Sequence, residues 1–320
     1  MIVLFAALAA AAIALPHLLR LDHVAAPVAV ACWLAALVVR ALAGVLVVLA
    51  LILFVPQTQL FAALTAWCWH AILPLFELHL GLDGHTAGDA AMLLPLVLLV
   101  VSAGSAAWAV VRAARAVRRM LDRRALGDGP LGSVIVGGPD VMVAAAGLTR
   151  PRVVVSAGAL VEFDDDELAA SVEHERGHIA RSHRYLLLFA EACRAIGCFL
   201  PGGRRAIAQL TFQLERDADD YALARDHDRL ALASAICKAA ALRPRAGGLT
   251  PLADGHSVLG RVRLLADGPP TPRRALQRCS AGAATLTVAL ALVLAASLPQ
   301  VASAGAQTLA QLPPIERCQP

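Results

Sequence analysis

The residues whose types and spacing could do chemistry stand together at His174-Glu175-Arg176-Gly177-His178. Histidines four apart on a helix lie one turn above each other on the same face, so both imidazoles can reach one metal ion. Glu175 sits one position round, where its carboxylate can meet a water held by that ion without ligating the ion. Zinc in such a place would polarise a scissile carbonyl and acidify the water, while Glu175 takes the proton and passes it to the leaving amine. That chemistry is metal-assisted peptide hydrolysis. With 10 histidines in 320 residues, the number of accidental matches to this spacing is on the order of 0.01.

Two histidines leave the site one protein ligand short, since a catalytic zinc takes three and keeps one position open. The candidates are His183, His227, His256 and the carboxylates of Glu215, Asp217, Asp219 and Asp220. Glu215 is favoured, because Asp219 lies one turn further along the same face and could accept the outer N–H of a ligating histidine. A solvated acidic helix face is the competing account of this cluster. Gly177 inside a helix costs about 1 kcal/mol relative to alanine, which predicts a close approach by another element or by substrate.

The start of the helix that carries the motif is well specified. Asp164 can cap it, Glu167 completes a capping box, and Phe163 and Leu168 occupy the hydrophobic-staple positions. The pattern predicts one helix over 164–196, then helices over 204–225, 228–241 and 258–266, the last after a loop with Gly247, Gly248, Pro251 and Gly255. Strands are expected over 133–136, 141–143 and 152–156. Most of the chain's 24 acidic residues fall within this segment, which reads as a water-soluble domain.

The rest of the chain is of another kind. Overall 58% of residues are hydrophobic and 16% charged, with mean hydropathy +0.67, a membrane-protein composition. It excludes a disordered chain, a collagen-like fibre and a disulfide-stapled secreted domain. The seven cysteines are too scattered for a thiolate metal site. The net charge of +4 has no interleaved basic and aromatic surface, so no nucleic-acid partner is expected. Spans are predicted over 3–19, 32–55, 90–111 and 281–298, with an interfacial or re-entrant helix over 61–80. Arg112 to Arg124 follow the third span, and Arg273, Arg274 and Arg278 precede the fourth, which holds the domain between them on the cytoplasmic side. Arg40, inside the second span, is read first as a shifted boundary or a bundle-facing structural residue, and second as part of signal transmission.

His174-Glu-Arg-Gly-His178, followed by Glu215-x-x-Ala218-Asp219, resembles the gluzincin membrane peptidases. These include the antirepressor-type integral membrane metallopeptidases typified by beta-lactam sensor-transducers, and the related prenyl-protein and heat-shock membrane proteases. Pro151 to Gly158, Asp166-Glu-Leu168 and, more weakly, His256 to Leu265 with Arg261 are similar to segments of that group. The resemblance implies His174, His178 and Glu215 as zinc ligands, Glu175 as the catalytic carboxylate and Asp219 as the residue orienting a ligand. His183 departs from the aspartate often found there in the antirepressor group. The tail at 299–320 leaves no room for a penicillin-binding sensor, so direct beta-lactam sensing is not implied.

The expectation is therefore a multi-span α-helical membrane protein with a cytoplasmic, mostly helical α+β gluzincin-like zinc peptidase domain. Residues 1–111 would form the N-terminal membrane region, 112–280 the catalytic domain, 281–298 the last span and 299–320 a short extracytoplasmic tail. Its location would be a bacterial-type inner membrane, its cofactor Zn2+, and its partners the bilayer and a protein or peptide substrate, with a cytoplasmic repressor as the favoured class. A strand edge near Val153 to Val155 would hold the substrate extended. His183, His256 and Arg261 are candidates for transition-state or structural roles. Quality-control proteolysis of membrane proteins is the second reading, and a non-catalytic transducer or scaffold with a structural zinc the third.

Overall fold

The computed structural model describes residues 21, 24–54, 125–198, 200–242 and 255–268, with isolated helical residues between 104 and 119 and between 282 and 303. The expected span at 3–19 and the helix at 61–80 lie outside the described residues, and of 90–111 and 281–298 only isolated residues are described. Two compact units are present, Met1–Gly44 with Ala116–Val293, and Val45–Arg115 with Leu294–Pro320. The first unit carries the metal motif.

Its first element is α1, Ala26–Phe54, an apolar helix interrupted only by Arg40. The window Ala26–Val45 is long and apolar enough to cross a membrane, and among the described residues it is the one such candidate. The helix starts before the span expected at 32–55, and its first half is packed within the protein. Leu21, Val24, Val30, Trp33, Leu37 and Ala41 form one buried cluster with Ala190, Cys193, Ile207, Leu210 and Leu214. Arg40 is buried, and its guanidinium donates to the carbonyls of Leu200 (2.7 Å) and Pro201. Of the two readings of this residue, its environment is that of a structural arginine.

A four-stranded sheet comes next, formed by β1 (Ala125–Asp128), β2 (Val134–Val136), β3 (Val143–Ala146) and β4 (Arg152–Ser156) in the order β1-β2-β4-β3. β1 pairs antiparallel with β2, β2 parallel with β4, and β3 antiparallel with β4 in the register Ala145↔Val153. β4 is therefore an inner strand, and β3 forms the edge on its far side. The β3–β4 turn needs Gly147, whose φ is +102° and whose Cβ would stand 2.8 Å from the Arg150 carbonyl. The strand expected at 141–143 is displaced to Val143–Ala146, and β1 was not expected at all: its Ala-Leu-Gly-Asp sequence carries no strand pattern.

The short helix α2 (Ala157–Glu162) follows β4, capped by Ser156, whose Oγ accepts from Ala159 N (3.1 Å). Then comes α3 (Asp165–Ala180), with the expected capping box complete: Asp164 Oδ1 accepts from Glu167 N (2.8 Å) and Glu167 Oε2 from Asp164 N (3.0 Å). Phe163 and Leu168 share a cluster with Val153, Val155 and Val172, which seats α3 on one face of the sheet. The single helix expected over 164–196 is in fact two, because Ser182 turns left-handed (φ 57°, ψ 31°) and α4 begins at His183 and ends at Ile196. α5 (Gly203–Leu223) buries Ala206, Ile207, Leu210, Leu214, Ala218 and Ala222, a stripe at helical spacing. α6 (Arg229–Ala241) is capped by Asp228. α7 (Gly255–Asp267) packs Leu265 against Leu232, Ala222 and Ala170.

Candidate metal centre

The site is built where α3 and α5 lie side by side. His174 and His178 face α5 from successive turns of α3, and Glu215 faces back from α5. His174 Nε2 lies 3.2 Å from His178 Nε2. Glu215 Oε2 lies 3.5 Å from His174 Nε2, and Glu215 Oε1 3.5 Å from His178 Nε2. Ligand atoms at about 2.0–2.2 Å from a tetrahedral zinc stand about 3.3 Å from one another, so the triangle has the size that a zinc ion requires. Among the described residues these three side chains are the group able to hold a metal ion. Of the other third-ligand candidates, His183, His227, Asp217, Asp219 and Asp220 are outside that group, and the side chain of His256 lies outside the described residues.

The surroundings favour positive charge in the triangle. His174 Nδ1 meets Asp219 Oδ1 at 2.9 Å, as the helical spacing predicts. From α7, Arg261 grips Asp219 through Nε (2.9 Å) and Nη2 (2.7 Å), and Glu215 through Nη1 (2.6 Å). Burial would raise the Glu215 and Asp219 carboxyls, but Arg261 foremost, then His174, holds both below their ordinary range. Those carboxylates raise Arg261 in turn, against the effect of its burial. Burial would lower His174, yet Asp219 and Glu215 outweigh it and bring it to about 10, whereas burial and the His174 charge bring His178 down to about 4. The carboxylates around the triangle thus favour a cation there, as a divalent metal would be.

Glu175 stands apart from the triangle. Its Oε2 accepts from the backbone N–H of Ala145 on β3 (2.7 Å). Burial raises its carboxyl above the ordinary value, despite His174 and that hydrogen bond. The contact corrects the expected strand edge: β4 lies between β2 and β3, Val154 and Val155 pairing with both and Val153 with β3, and the free edge beside the metal motif is β3. The four residues of β3, Val-Ala-Ala-Ala, are as compatible with a helix as with a strand, so pattern alone gave no reason to place it there.

The close approach predicted at Gly177 is made by α5. A Cβ on Gly177 would lie 3.0 Å from Tyr221 Cβ and 3.1 Å from its ring. His183 is fully buried, with Nδ1 2.9 Å from His178 Nδ1 and Nε2 3.1 Å from Asp217 Oδ2. That position places it behind His178, against the ring nitrogen away from Glu215. Arg261 is committed to the carboxylates of Glu215 and Asp219. Arg181, which forms an ion pair with Asp217, was not singled out in the sequence, and Asp217 was weighed there only as a metal ligand. Asp217 belongs to the same acidic run as Glu215, and its burial and its contacts with His183 and Arg181 show that it faces inward.

Residues 112–243 match Peptidase family M48. No curated protein and no solved structure matches the chain.

Proposed function

We propose that residues 112–243, which match Peptidase family M48, form a zinc metallopeptidase domain, and that the protein is a membrane-anchored zinc endopeptidase that performs regulatory cleavage of a protein substrate on the cytoplasmic side. One observation carries the proposal: Glu175 lies between a His174, His178 and Glu215 triangle of zinc dimensions and the free edge of β3. Anchoring is supported by the apolar run of α1, and cytoplasmic placement by the arginines at 112–124 and 273–278.

Each residue then has a task. His174, His178 and Glu215 would hold the ion, which when bound supplies Lewis acidity to a scissile carbonyl. Arg261 keeps Glu215 and Asp219 ionised, so both remain acceptors, and Asp219 fixes the His174 ring with Nε2 facing the ion. An extended peptide can add to β3, whose Ala145 N–H points away from β4 and marks the rung nearest the reacting carbonyl. Glu175 accepts a proton from the attacking water and returns it to the leaving nitrogen, and burial brings its carboxyl closer to the pH at which both transfers must occur.

The test uses the full chain purified in detergent, with zinc content measured and cytoplasmic extract as substrate. Glu175→Gln is expected to retain about one zinc and to lose cleavage about 10²–10⁴-fold. Equal product patterns from the variant and the wild type would remove Glu175 from the chemistry and favour a structural metal.

A further inference from the structure

The two histidine ligands are supported in different ways. His174 has a carboxylate directly on its outer nitrogen, Asp219 at 2.9 Å. His178 has another imidazole there: its Nδ1 lies 2.9 Å from His183 Nδ1, the two rings edge to face with centroids 4.9 Å apart. His183 Nε2 then meets Asp217 Oδ2 at 3.1 Å, and Asp217 Oδ1 accepts from Arg181. His183, Asp217 and His174 are all buried.

The protons in this chain follow from the metal site. A ligating His178 offers the Nε2 lone pair to the ion, so Nδ1 must carry its proton. A protonated Nδ1 needs an acceptor, which requires His183 Nδ1 to be bare and its proton to sit on Nε2. That proton in turn needs an acceptor, and Asp217 supplies one. Asp217 remains a carboxylate, lowered by His183 and Arg181 against its burial. Every donor along Arg181, Asp217, His183 and His178 is thus satisfied in only one direction.

The backbone is bent to make this contact. In a continuous helix a residue five beyond His178 would point about 140° away from it, at 100° per residue. The left-handed turn at Ser182 (φ 57°, ψ 31°) interrupts α3 and brings His183 back beneath His178. A non-glycine residue in that region is strained, and such strain gathers at functional sites.

We infer that His183, oriented by Asp217 and Arg181, is the positioning residue for ligand His178, fixing its tautomer and ring plane so that Nε2 faces the ion. It touches neither substrate nor metal. The inference rests on the proposed zinc site, and its consequence is metal affinity: loss of a histidine's outer-nitrogen partner typically weakens binding about 10–100-fold.

The experiment compares wild type, His183→Phe and His183→Asn as full chains in detergent. Zinc affinity is measured by chelator competition, and ligand geometry by the visible absorption of the cobalt-substituted protein. Phenylalanine keeps a planar ring but offers no acceptor. Asparagine can place its amide oxygen where His183 Nδ1 stood. We expect His183→Phe to lose zinc affinity about 10–100-fold and to shift the cobalt bands, with His183→Asn staying within about threefold of wild type. If His183→Phe does not fold, Asp217→Asn replaces it, with a weakening of about tenfold expected. Wild-type affinity in a folded His183→Phe or Asp217→Asn, or equal loss in the phenylalanine and asparagine variants, overturns the positioning role and leaves the zinc reading standing. A wild type that holds no zinc overturns both.

Discussion

Gly177→Ala tests whether the contact between α3 and α5 sets the dimensions of the metal site. The new methyl would stand 3.0 Å from Tyr221 Cβ and 3.1 Å from its ring, several tenths of an ångström inside ordinary carbon contact. Tyr221 Cβ is fixed to the α5 backbone, so the clash is relieved by moving the helices apart rather than by rotating a side chain. Alanine returns about 1 kcal/mol of helix propensity, whereas overpacking of this kind costs about 1–3 kcal/mol. The net destabilisation is up to about 2 kcal/mol, a fall of several degrees in Tm for a domain of this size. The effect on metal is larger, because His174 and His178 stand on α3 and Glu215 on α5. Their 3.5 Å separations would widen by the same few tenths, beyond the roughly 0.2 Å that zinc ligands tolerate. Zinc affinity, measured by chelator competition on the full chain, is expected to fall about tenfold or more. An alanine variant with wild-type affinity and an unchanged or higher Tm would show that Gly177 does not set the gap.

Arg261→Ala leaves Glu215 and Asp219 buried without their cation, so a loss of about 3–5 kcal/mol and weaker zinc binding are expected; calorimetry and chelator titration check both. Glu167 is buried at the start of α3, where Lys238 (2.7 Å) and Ser234 (2.5 Å) outweigh the effect of burial and lower its carboxyl below 4.5. A depressed carboxyl stabilises the fold above its unfolded value and loses that contribution as pH falls through its folded one. Glu167→Gln should therefore melt below wild type at pH 7, with the difference closing below about pH 4.5; a constant difference would refute the charge as its source. Arg40→Met removes the donor to the Leu200 and Pro201 carbonyls. It should cost about 1.5–3 kcal/mol and speed limited proteolysis between α4 and α5, and unchanged cleavage there would count against the clamp.

The local parts of this protein were legible in the sequence because their causes are local. The cap at Asp164 and Glu167, the 3.6-residue spacing of His174 and His178, and the one-turn offset of Asp219 from Glu215 depend on a few neighbouring residues, and each has the geometry that its spacing predicts. A helix was expected over most of α1, and Arg40 was marked as anomalous within it. Where residues meet across the fold, tertiary structure decided. The left-handed turn at Ser182 has no glycine or proline to announce it; contacts of His183 with His178 on one side and Asp217 on the other hold it in place. β3 became the free edge only through the strand order β1-β2-β4-β3, which period-two alternation in short apolar runs cannot specify. Arg261 reached the site because α7 packs on α6 and α5 through Leu265, Leu232 and Ala222, bringing it against carboxylates more than forty positions earlier. Helical periodicity fixes which side chains share a face, whereas only packing between elements fixes which faces meet.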